Sequence, residues 1–128
     1  MDMIFSTVQA GFPSPADDFA DSSLSLDALL VPSPATSFMV RVSGDSMTDA
    51  GILAGDILVV NRGLQAVDHD IVVAIVDNEF TCKRLRFDRH GKPWLMAEGK
   101  SMRGPLQLPS AEEWSIWGVV VSSARRFK

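Results

Sequence analysis

The stretch DIVVAIVDNEFTCKRLRF, residues 70–87, is two runs rich in β-branched and aromatic residues joined by Asp77-Asn78. Asx residues at both central positions suit a tight hairpin turn, so the stretch predicts two antiparallel strands. Side chains alternate across a strand with period 2. In the second run this puts Thr81, Lys83, Leu85 and Phe87 on one face, and Phe80, Cys82, Arg84 and Arg86 on the other. Lys83 thus shares its face with Leu85 and Phe87. Burial disfavours an ammonium and depresses its pKa, so a lysine placed there can serve as a neutral base. A lysine snorkelling at the edge of the sheet is the other reading of the same pattern.

The texture continues outward in both directions. FMVRV (38–42), DILVV (56–60), KPWLMAE (92–98) and SIWGVVVSSARRF (115–127) are further short strand-like runs separated by turn residues, with a second hairpin turn at Arg89-His90-Gly91. The expectation is a mainly β domain of short antiparallel strands over residues 37–128. There is no internal repeat and no long amphipathic helix, which leaves no room for a helix-turn-helix.

Residues 1–36 differ in kind. The first 40 residues contain no Lys or Arg and sum to −5, whereas the remaining 88 sum to +1. GFPSPADDFADSSLSLDALLVPSPAT, residues 11–36, is rich in Pro, Ser, Asp and Ala and predicts an extended acidic arm. One helical turn near Ser25–Leu30 is expected within it, with Ser25 as cap, Leu26, Leu29 and Leu30 docked on the core and Pro32 and Pro34 as stops. No secretory signal opens the chain and its longest apolar runs are six residues, so a soluble cytoplasmic protein is expected. One cysteine and two isolated histidines, His69 and His90, offer no metal-ligand spacing, and neither a metal nor a cofactor is expected.

A second element, Val42-Ser43-Gly44-Asp45-Ser46-Met47, follows the first predicted strand. Ser46 ahead of Thr48 and Asp49 reads as the cap of a short helix. That reading is compatible with a nucleophile, since a serine at a helix start stands beside free backbone N–H groups, and a lysine is an established base for such a serine. Gly44 permits a sharp turn there. Thr81, two residues before Lys83 on the same face, either orients the lysine or fills the strand.

Gly44-Asp45-Ser46-Met47 together with Phe80-Thr81-Cys82-Lys83-Arg84-Leu85, and the separation of 37 residues from Ser46 to Lys83, resemble the LexA/UmuD family of self-cleaving serine-lysine peptidases. Ala10-Gly11-Phe12-Pro13-Ser14-Pro15 resembles the cleavage region of the UmuD branch, with Ala10 where that branch usually has cysteine. The resemblance runs from about Val8 to Val121. It implies a LexA-like peptidase fold, a Ser46–Lys83 dyad supported by Gly44, Asp45 and Thr81, and cutting of the Ala10-Gly11 bond. It further implies a homodimer, stimulation by the RecA–single-stranded-DNA filament in the SOS response, and a product that serves a UmuC-type error-prone translesion polymerase. Two other classes remain open at this point: a non-catalytic polymerase accessory module, and a signal-peptidase relative, which the absence of an anchor disfavours. Arg84, Arg86, Arg89 and Lys92 read as a solvated edge rather than a DNA surface. Trp94, Trp114 and Trp117 suit core or interface equally.

Overall fold

The computed structural model describes residues 25–110 and 112–128. The chain divides into two units, Met1–Pro32 and Ser33–Lys128. In the first, helix α1 spans Leu26–Leu30, and the Ser25 hydroxyl caps it by accepting from Ala28 N–H. None of its residues is buried. The Ala10-Gly11 bond lies outside the described residues.

The second unit is built on seven strands: β1 (Ser37–Arg41), β2 (Ile57–Asn61), β3 (Ile71–Val76), β4 (Glu79–Phe87), β5 (Pro93–Glu98), β6 (Arg103–Pro105) and β7 (Trp114–Ala124). They form one sheet in the order β1-β2-β7-β3-β4-β5-β6, and every described pairing is antiparallel. The mainly β expectation holds. The β3–β4 hairpin turns at Asp77 and Asn78, both at positive φ (51° and 63°), the conformation that short polar residues tolerate best. In the β4–β5 turn the Asp88 carboxylate accepts from His90 N–H, Lys92 N–H and Trp94 Nε1. One acid therefore organises that whole reversal.

Strand β3 reads as continuous apolar sequence because both of its faces are covered. Val73 packs with Met47, Ile52, Leu58 and Val60, whereas Val72, Ala74 and Val76 pack with Leu85 and Leu95. Strand β7 crosses the middle of the sheet and carries irregularities against both partners. Against β3 the register passes from Gly118 to Ile116, leaving Trp117 as the extra residue of a bulge. Its indole meets Phe38 and Phe80 at ring-centroid distances of 5.5 and 5.2 Å, with Arg62 stacked at 4.7 Å.

The loop between β1 and β2 is closed at its base by Val42 N–H to Asp56 C=O and Gly55 N–H to Val42 C=O, both 2.9 Å. Asp56 is 1% exposed, and its carboxylate accepts from Leu53 N–H (2.8 Å) and from Arg125 Nε and Nη2 (2.6 and 2.7 Å). The Arg125 hydrogen bonds first, then the Leu53 N–H, lower its pKa from 3.8 to about 2. A depressed carboxyl pKa stabilises the fold fully above the unfolded value, and that contribution is lost as pH falls through the folded one. Arg125→Ala is therefore expected to lower the melting temperature at neutral pH, because an unpaired buried carboxylate remains. The gap from wild type should narrow below about pH 4. Circular-dichroism melts across pH check this, and a gap constant down to pH 2 would count against it.

Candidate active site

Strand alternation delivers Lys83 and Leu85 to the interior, 5% and 0% exposed, while Phe80 on the opposite face is 64% exposed. Lys83 Nζ donates to Ser46 Oγ at 2.9 Å and to Thr81 Oγ1 at 2.8 Å. Among the described residues it forms no ion pair. Burial lowers its pKa from the ordinary lysine value, partly offset by the neighbouring Cys82. A neutral amine would accept the Ser46 proton along the same line of approach.

Ser46 sits in the turn that leads from β1 into a 3₁₀ segment at Thr48–Ala50. The cap reading of Ser46 is not what the structure has. Met47 takes the N-cap position without a side-chain cap bond, and Ser46 Oγ meets the lysine instead. Met47, 3% exposed, anchors the turn in the core. Gly44 has φ 80° with open space where a Cβ would stand, so the conformation rather than crowding calls for glycine. The Asp45 carboxylate accepts from Ser101 Oγ at 2.8 Å.

A groove of about 340 Å³ opens over these groups, lined among others by Val42, Gly44, Ser46, Phe80, Thr81 and Lys83. Cys82 also lines it, but burial pushes its thiol up to about 11, which keeps it protonated and poorly nucleophilic. His69 and His90 are exposed in turns away from the groove lining. Of the positive residues on β4, Arg84 forms a two-pronged pair with Glu98 (2.9 and 3.0 Å) and Arg86 pairs with Asp68. Among the described residues no cluster of His, Cys, Asp or Glu could hold a metal, and no helix is long and apolar enough to cross a membrane.

Sequence reasoning missed what stands behind Ser46. Glu98 N–H donates to Ser46 C=O at 2.7 Å, and Arg103 pairs with Asp49 at 2.8 Å. These contacts join segments about 50 residues apart, and no local pattern announces them.

The chain matches the family described as Peptidase S24-like over residues 2–121. It is 43% identical to Protein MucA of Salmonella typhimurium over 116 residues, covering 91% of this chain and 78% of MucA. It is 41% identical to Protein SamA of Salmonella typhimurium over 113 residues, 88% of this chain and 76% of SamA. The LexA repressor of Clostridium novyi is 36% identical over 125 residues, 97% of this chain and 59% of the repressor.

Proposed function

We propose that this chain, which belongs to the Peptidase S24-like family, cuts its own Ala10–Gly11 bond with Ser46 as nucleophile and Lys83 as general base. The observation that carries the reading is the 2.9 Å approach of Lys83 Nζ to Ser46 Oγ at a lysine only 5% exposed. Neutral Lys83 takes the Ser46 proton as Oγ attacks the Ala10 carbonyl carbon. Collapse of the tetrahedral adduct breaks the C–N bond, and the proton passes from Lys83 to the departing Gly11 amine. Water, deprotonated by Lys83, then attacks the ester carbonyl; the C–Oγ bond breaks, Lys83 returns the proton to Ser46 Oγ, and residues 1–10 leave as an acid that ionises in solvent. Thr81 Oγ1, 2.8 Å from Nζ, holds the amine in line.

The biological setting we propose is the cytoplasmic SOS response. Self-cleavage is stimulated by the RecA–single-stranded-DNA filament, and the shortened chain acts as a homodimer with a UmuC-type translesion polymerase. Similarity to MucA and SamA over most of the chain supports this setting. The test is mass spectrometry of the purified chain before and after incubation at alkaline pH or with activated RecA filament. A product beginning at Gly11 is expected, whereas a non-catalytic accessory module would stay at full length. Gly11→Glu should remain uncut under conditions that convert the wild type, because a bulky anion would then follow the scissile bond in place of a residue with no side chain. Normal processing of that variant would move the scissile bond elsewhere.

A further inference from the structure

We infer that Gly99 is a positioning residue for the nucleophile, a reading that rests on the role proposed above for Ser46. Strand β5 ends at Glu98, and its exit runs directly behind the serine, where Glu98 N–H holds Ser46 C=O at 2.7 Å. Gly99 is buried there. A Cβ at Gly99 would collide with the Asp45 carbonyl oxygen and stand 2.8 Å from Ser46 Cα and 2.9 Å from Ser46 C. All three obstacles are backbone atoms, so no rotamer change relieves them. Gly99 is not among the positive-φ residues, so alanine would bring no conformational strain of its own. Its effect must pass through displaced neighbours.

The exit segment has little freedom to retreat. Gly99 N–H donates to Met102 C=O and Arg103 Nε to Gly99 C=O, both at 3.0 Å, while Arg84 grips the Glu98 carboxylate. Ser101 to Asp45 and Arg103 to Asp49 tie the same segment to the nucleophile's loop. The loop therefore yields first, and Ser46 moves relative to Lys83, which β4 fixes through its pairing with β3. A misplacement of about 1 Å costs roughly 10²-fold in rate.

The experiment is the first-order rate of self-cleavage of the full chain across pH for wild type, Gly99→Ala and Glu98→Gln, with Ser46→Ala as control. For Gly99→Ala the alkaline plateau should fall about 10²-fold while the pH midpoint, set by burial of Lys83, stays in place. Acylation of Ser46 by a fluorophosphonate should fall in step. Glu98→Gln loosens the Arg84 grip but keeps the backbone donor. It should lower the plateau about three- to tenfold at the same midpoint, and this keeps the inference testable if Gly99→Ala does not fold. A folded Gly99→Ala chain that cleaves within about threefold of wild type overturns the inference. So does slowed cleavage with wild-type acylation, and so, where Gly99→Ala does not fold, does a wild-type rate in Glu98→Gln. An inactive Ser46→Ala control keeps the dyad reading separate from these outcomes; an active one removes both.

Discussion

Ser46→Ala is expected to leave the chain at full length wherever the wild type is converted, a loss of at least about 10³-fold in the first-order rate. The substitution deletes one oxygen. It leaves Thr81 Oγ1 on Lys83 Nζ, and it keeps the backbone carbonyl that Glu98 N–H holds. The melting temperature should therefore change little, which separates a chemical loss from a structural one. The measurement pairs a gel or mass-spectrometric time course with a thermal melt of the same sample. Wild-type cleavage between Ala10 and Gly11 in this variant would remove Ser46 from the mechanism.

The second large effect concerns Lys83 and pH. The base must be neutral to accept a proton, so the spontaneous rate should rise about tenfold per pH unit below the lysine's folded pKa and level off above it. Burial at 5% exposure lowers that pKa, which brings the midpoint below the value of a solvated lysine. The sign is fixed: acid silences the site and alkali releases it. Lys83→Arg keeps a positive charge that does not titrate in the accessible range, so it should be inactive at every pH, as should Lys83→Ala. A flat wild-type profile, or normal cleavage by the arginine variant, would leave Ser46 without a base.

Much of this arrangement was legible in the residues. Six runs of the sequence are β-rich and six strands stand on them, because alternation and turn residues such as Asp77-Asn78 are local signals. The short strand β6 was missed. Arg103-Gly104-Pro105 contains the two residues that disfavour strands, and it pairs only because β5 presents an edge to it. The face of Lys83 followed from period 2, and so did its company with Thr81. Proximity to Ser46 did not: nothing local in residues 44–47 says which strand lies 2.9 Å away. The family resemblance supplied that pairing, and the β5 exit behind the serine had no signal at all. Trp117 was ambiguous for a related reason, since a bulge in β7 turns it toward Phe38 and Phe80, and bulges leave little trace in composition.

The place of β7 in the sheet bears on when the enzyme can first act during its own synthesis. Of the seven strands β7 is made last, yet it lies between β2 and β3. While it is still being translated, the β1–β2 hairpin that carries Ser46 and the β3–β6 meander that carries Lys83 share no strand-to-strand hydrogen bonds. Their direct ties are those of the β5 exit to the Ser46 loop, from Glu98, Ser101 and Arg103, and their joining into one sheet awaits a pairing distant in sequence, the slow kind of folding event. The acidic arm emerges from the ribosome long before that. Strand order thus sets a sequence of events: until β7 is made, Ser46 and Lys83 belong to two separate ladders, and one continuous sheet holds both only when the last strand is in place.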